Sequence, residues 1–210
     1  MEINKVIMIG YSGHAYVSIE NALLNGYEVM GYCETEEKAE NPYNLPFLGK
    51  EADYFNRTIS QGAFIAIGSN RLREKIMSNF PYIRFVNLIH PNSTISSTAE
   101  ILVDGNILLN AGVVVNALAK IGKGVILNTA CVVEHECVVH EFAHIAPGAV
   151  LAGNVTIGRR SFIGANAVVK QGVVIGNDVV VGAGSVVLQD IPDGKVVAGI
   201  PSKEIKKKHI

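Results

Sequence analysis

Starting at Ile121 and stepping by six, the chain places an aliphatic residue at every stop: Leu127, Val133, Val139, Ile145, Leu151, Ile157, Ile163, Val169, Ile175, Val181 and Val187. Four positions after each stop stands a small or β-branched residue, from Val125, Cys131, Cys137 and Ala143 through to Ser185. Such a period suits neither a helix of 3.6 residues per turn nor a strand that alternates every two. It suits a short strand and a tight turn, repeated so that three units close one triangular coil. The aliphatic side chain then points into the prism and the small one fills a corner, where glycines such as Gly122, Gly158 and Gly176 tolerate the backbone angles. One coil cannot bury its own inner face, so the stack is held together by its neighbours. At the spacing of paired strands, about five coils make a prism roughly 25 Å long. An earlier run, Ile95, Ile101, Ile107 and Val113, has the same period in another phase, which implies a two-residue frame shift between Ile107 and Ile121.

Residues 1–90 lack the repeat. Residues 5–9 read as a buried strand, followed by the turn Gly10-Tyr11-Ser12-Gly13-His14 and a helix over 15–25. Further strands are expected at 27–33, 63–68 and 83–88, with a helix at 70–78 and a polar, irregular stretch at 36–62. Strand–helix–strand alternation implies a small parallel sheet with helices on its faces. The expected organisation is therefore a Rossmann-like α/β domain over 1–90 and an all-β prism with a C-terminal cap over 91–210, divided near His90-Pro91-Asn92.

The formal net charge of −1 gives no electrostatic reason to expect nucleic acid or an anionic membrane as partner. The charge run from Lys203 to His209 reads as a solvated tail. Three cysteines, Cys33, Cys131 and Cys137, without metal-type spacing read as reduced thiols. No signal-peptide pattern and no apolar run long enough to span a membrane are present, so the expected location is cytoplasmic.

Two stretches carry chemistry. The Gly10–His14 turn lies between a strand and a helix start, where backbone N–H groups can cradle a phosphate. A tight structural turn explains it equally well, and it lacks the full dinucleotide spacing. The second stretch, residues 134–144, packs His135, His140, His144, Glu134, Glu136 and Glu141 into a prism otherwise poor in both types. His135 stands two residues after an inward-facing aliphatic and should project outward. An amine or hydroxyl that attacks a thioester must lose a proton, which a positioned imidazole can take. Glu136 or Glu134 would orient the ring as a carboxylate does in a triad, and a backbone N–H such as that of Gly153 would serve the oxyanion.

The hexapeptide pattern resembles that of the acyltransferases whose prisms wind left-handed. Residues 63–70 (AFIAIGSN), 86–90 (VNLIH) and 120–137 (KIGKGVILNTACVVEHEC) resemble bacterial nucleotide-aminosugar N-acetyltransferases of the UDP-N-acetylbacillosamine type, with sialic acid O-acetyltransferases as relatives. The resemblance implies an acetyl-CoA-dependent homotrimer, without metal, that acetylates the 4-amino group of a nucleotide-linked amino sugar in glycan biosynthesis. It implies His135 as general base and Glu136 as its carboxylate. His144, Gly153, Ala165 and Ala183 would contact acetyl-CoA. Ser12, Gly13, His14, Glu34, Thr35, Gly68 and Asn70 would contact the nucleotide sugar. Glu34 and Thr35 stand where the bacillosamine enzymes carry paired aspartates, which leaves the nucleotide and sugar open. The closing Val-Ala-Gly-Ile-Pro-Ser-Lys loop would cap the prism, border the pantetheine arm, or both.

Three other readings fit parts of the pattern. One is a sugar O-acetyltransferase. A second is a γ-type carbonic anhydrase, to which His135 and His140 have matching spacing, though Ile101, Leu102, Val103 and Asp104 stand where its third histidine belongs. The third is a non-catalytic prism. Packing three prisms about an axis would bury outward positions such as Val132, Val138 and Val174.

Overall fold

A computed structural model describes residues 4–55 and 61–205. The terminal charge run therefore lies outside the described residues beyond Ile205, as do 56–60 of the irregular stretch. The chain opens with β1 (Asn4–Ile9), α1 (Gly13–Leu24) and β2 (Tyr27–Cys33), and continues through α2 (Glu51–Tyr54), β3 (Gly62–Ile65) and α3 (Asn70–Asn79). The three strands form a parallel sheet in the order β2-β1-β3. The chain thus reverses its direction of travel across the sheet at β1, whose carboxyl end is where ligands bind in open α/β sheets. The expected strand at 83–88 does not join this sheet. Phe85 makes an isolated bridge to Ala63, and Leu88–Ile89 is instead the first strand of the prism.

From there the chain winds a parallel β-helix of two-residue strands. Each strand turns its first residue outward and its second inward. The inward column, with Ile121, Leu127, Val133 and their successors, forms one continuous buried core together with the corner residues Val125, Cys131, Cys137 and Ala143. At 0 % exposure, each side chain such as Leu127, Val133 or Ile145 contributes about 1.5–3 kcal/mol by burial. Among the described residues the three faces hold eight, six and five strands, the last strand of the first face pairing antiparallel, which makes about six turns against about five expected from the sequence.

The frame shift lies earlier than expected. Inward Ile101 is followed by inward Leu109, so the extra residues fall in the loop between them, and Ile107 and Val113 are buried corner residues. That loop is a docking device. Asn106, in the left-handed region at φ 54°, accepts from the Ile65 amide at 2.6 Å with its side chain, on the same edge of β3 that Phe85 bridges at Ala63. Asn87 ties the loop back, its Oδ1 accepting from Gly105 and Ile107 at 3.0 Å.

The three faces differ in what they present. The docked face carries outward Leu88, Leu108 and Ile126, which pack into the core of the N-terminal domain with Val6, Met8 and Ile19. Above them on the same face stand His144, Phe162 and Val180. A second face presents an outward valine ladder of Val114, Val132, Val150, Val168 and Val186. The third presents Glu100, Lys120, Val138, Thr156 and Val174. Val132 therefore belongs to a different face from Val138 and Val174, which narrows the apolar packing surface to the ladder.

Close stacking makes the corner glycines unequal. A Cβ on Gly158 would lie 2.4 Å from the Gly176 carbonyl carbon and oxygen in the next coil, and backbone cannot step aside as a side chain can. Gly172 meets nothing within 4 Å and is constrained only by its φ of +75°. Gly158→Ala is therefore expected to cost at least about 3 kcal/mol, and Gly172→Ala only about 1. Thermal unfolding of the two variants should rank them in that order.

Candidate active site

The sequence-derived residues fall at three places on the prism. The first is the vertex between the valine face and the third face. There His135 Nδ1 meets Glu136 Oε2 at 3.1 Å. Glu136 reaches this position through a left-handed backbone, at φ 61°, which puts its carboxylate beside the preceding ring. Glu134 is turned elsewhere, accepting from Asn116 Nδ2 at 2.9 Å, so the carboxylate beside the imidazole is that of Glu136. In the coil above, Gly153 makes room for the ring: a Cβ there would come 2.4 Å from Cε1 and 2.5 Å from Nε2 of His135. With Nδ1–H donated to Glu136, Nε2 carries the lone pair. His135 and Glu136 are half exposed, at 48 % and 58 %, so a reactant can reach them.

The second place is the docked face, on the opposite side of the prism from that vertex. The carboxyl ends of β1, β2 and β3 converge there. Gly10, at φ +96°, lets the first turn approach Ile67, and a Cβ would sit 2.7 Å from its Cγ1. Ser12 begins α1 without using its hydroxyl as a cap, which leaves that hydroxyl and the first helical N–H groups for an anion. Glu34 extends from the end of β2 and accepts from the Thr35 amide at 3.0 Å and the Tyr11 amide at 3.4 Å, with Lys38 Nζ at 3.7 Å. Gly68 follows β3, and Asn70 opens α3 while donating to the Arg160 carbonyl at 2.8 Å.

His144, expected to contact acetyl-CoA, lies beside this group and apart from Gly153, Ala165 and Ala183. It is 8 % exposed, its ring lies 6.2 Å from that of His14, and Phe162 meets it edge-on at 5.1 Å. Burial, with Arg73 acting second, pushes His144 down to about 3 and His14 down to about 4, so both rings are neutral. His14 Nε2 is buried without a hydrogen-bond partner. Gly68, Asn70, Phe162 and Val180 frame a cavity of about 310 Å³ with Arg71, Arg160 and Asp178. Ion pairs of Glu74 with Arg159 and Arg160, and of Asp178 with Arg160 and Arg71, brace α3 against the prism beside it.

The third place is the vertex between the docked and valine faces. Ala165 and Ala183 stack there in adjacent coils, with Gly184 N donating to the Ala165 carbonyl at 2.8 Å. His140 sits at yet another vertex, between the third and docked faces, apart from His135. Among the described residues no three His, Cys, Asp or Glu side chains gather as a metal ion requires. Arg73, Arg160 and Phe162 escaped the sequence reading. Phe162 was the most legible of them, being an aromatic at an outward position that is mostly Val or Thr.

The prism joined to an α/β domain matches the left-handed β-helix acetyltransferases. Residues 5–80 match the PglD N-terminal domain family, and 154–189 match the hexapeptide repeat of succinyl-transferase. The acetyltransferase domain of PglB from Neisseria gonorrhoeae, solved with acetyl coenzyme A, is 35 % identical with a TM-score of 0.89, covering 96 % of this chain and 99 % of that one. PerB from Caulobacter crescentus, solved with CoA and GDP-perosamine, is also 35 % identical with a TM-score of 0.89, covering 97 % and 98 %. GDP-perosamine N-acetyltransferase of Escherichia coli O157:H7 is 27 % identical over 160 residues, which span 73 % of this chain and 63 % of that protein. The chain belongs to the acetyl-CoA-dependent nucleotide-aminosugar N-acetyltransferases.

Proposed function

We propose that this protein transfers the acetyl group of acetyl-CoA to the amine of a nucleotide-linked amino sugar, with His135 as general base. The observation that carries the reading is the His135–Glu136 pair at 3.1 Å, with Nε2 beside Gly153 and open to a reactant. In this reading the sugar amine attacks in its uncharged form, having already given its extra proton to solvent, and Nε2 takes one proton from its nitrogen as the new bond forms. The nitrogen forms its bond to the thioester carbon as the carbonyl electrons move to oxygen. Collapse of that intermediate breaks the C–S bond, and the thiolate leaves with the proton. Glu136 holds the ring and offsets the charge of the imidazolium while it lasts.

The nucleotide would lie across the carboxyl ends of β1–β3. Its phosphates would sit at Ser12, Gly13 and His14, its nucleoside near Glu34 and Thr35, and its sugar toward Gly68, Asn70 and His144. The small residues Gly153, Ala165 and Ala183 leave shallow vertices along which a pantetheine arm can run. One chain holds the base and the acceptor pocket on opposite sides of its prism, so the reaction needs a second copy. The valine ladder supplies an apolar surface for that contact, and a closed trimer lets every base meet a neighbour's pocket. No helix among the described residues is long and apolar enough to cross a membrane.

The test is to incubate the protein with acetyl-CoA and UDP-, GDP- and dTDP-linked 4-amino sugars and follow thiol release. One nucleotide series is expected to give saturable release, with an acetamide in the product. Release unaffected by any of these acceptors would defeat the proposal.

A further inference from the structure

Arg73 is the largest fully buried side chain among the described residues, at 0 % exposure. All five of its N–H groups are used. Nε donates to the Gly124 carbonyl at 3.0 Å, and Nη1 to the carbonyls of Ile67 at 3.1 Å and Gly68 at 2.9 Å. Nη2 donates to Asn70 Oδ1 at 2.9 Å and to the Phe142 carbonyl at 3.0 Å. None of these acceptors is a carboxylate. Glu74, one residue along the same helix, turns instead to Arg159 and Arg160. A buried cation without an anion is costly, and its persistence asks for a use.

Its partners suggest the use. Gly68 and Asn70 belong to the acceptor pocket, whereas Gly124 and Phe142 are corner residues of two successive coils. Binding Asn70 Oδ1 also fixes that amide so that its Nδ2 faces the Arg160 and Ser161 carbonyls. We propose that Arg73 is a positioning residue for the acceptor half of the site: it clamps the Ile67–Asn70 loop to the prism and leaves an unneutralised positive charge behind His14 and His144. The charged and titratable groups acting on these rings are Arg73 from α3 and, for His144, also His14 from α1; Asn128 of the prism is the polar contact at His144 Nε2, 3.3 Å away. Desolvation acts first and Arg73 second in keeping both rings neutral, while the Gly68 carbonyl pulls His144 weakly the other way. A neutral imidazole can accept as well as donate, so the unpartnered Nε2 of His14 stays adaptable toward sugar and phosphate oxygens. The charge behind the rings favours an anionic ligand.

The inference rests on the nucleotide-sugar reading, so its test has two arms. Arg73→Lys keeps the charge but cannot span five acceptors with one ammonium. The variant is expected to raise KM for the nucleotide sugar about tenfold, with KM for acetyl-CoA and kcat changed less than about twofold. An equal rise for both substrates, or none, would overturn the assignment. The second arm needs no turnover. In side-chain ¹⁵N spectra of the wild-type protein, both rings are expected to stay neutral down to about pH 5, and in Arg73→Met their titration should move upward. A wild-type ring that protonates above about pH 6, or titration unmoved in a folded Arg73→Met protein, also overturns it. If Arg73→Met does not fold, Arg73→Lys and the wild-type spectra decide. Wild-type protein inactive with every acceptor would count against the proposed function, and the spectra would still judge Arg73.

Discussion

A His135→Ala protein is expected to fold and assemble as the wild type does, and to lose acetyl transfer by about 10²–10⁴-fold in kcat. Removing a half-exposed side chain at a vertex should change stability by no more than about 0.5 kcal/mol. The imidazole meets the proton of the nucleophile rather than the nucleotide, so KM for either substrate should move little. Glu136→Gln separates the carboxylate's two tasks. It keeps an acceptor for Nδ1–H and removes the charge that steadies the imidazolium, so a smaller fall in kcat is expected. Steady-state kinetics on both variants, with unfolding curves as control, provide the measurement. Undiminished turnover without the imidazole would make the prism a binding module.

The prism was legible because its period is imposed by geometry at every coil: an inward position admits only an aliphatic side chain, and a stacked corner leaves no room for bulk. The frame shift was misplaced for the same reason. Ile107 and Val113 are aliphatic, but they are buried corner residues, and composition alone does not separate an inward strand residue from a corner. Phe85 misled in another way, since a β-prone segment that bridges Ala63 once looks like a strand in sequence. The His135–Glu136 pair was readable because the two residues are adjacent in the chain, although only coordinates could choose Glu136 over Glu134 as the ring's partner. Arg73 was not readable. It falls in a polar amphipathic helix where arginine ordinarily faces water, and only tertiary packing buries it among carbonyls from two domains.

Co-assembly of two inactive variants should restore activity. Gly13→Asp is suited to the second, because a Cβ there meets nothing within 4 Å and an acidic side chain favours a helix N-terminus. Its carboxylate would repel the phosphates of the acceptor while sparing the fold. His135→Ala leaves the acceptor pocket whole, and Gly13→Asp leaves the base whole. If each site joins the pocket of one subunit to the His135 of the next, random co-assembly in equal amounts makes about a quarter of the sites intact. Tagged, co-expressed and purified mixtures should then show about a quarter of wild-type activity, where His135→Ala alone shows on the order of a hundredth or less and Gly13→Asp alone binds the acceptor too weakly to turn over at the same substrate concentration. A site contained within one chain predicts no gain, since every chain then carries one lesion or the other. The outcome turns on a feature of the triangular coil itself: with three faces and three vertices, the vertex that bears His135 and the face that carries the N-terminal domain lie on opposite sides of one prism, so they can meet only across a subunit boundary.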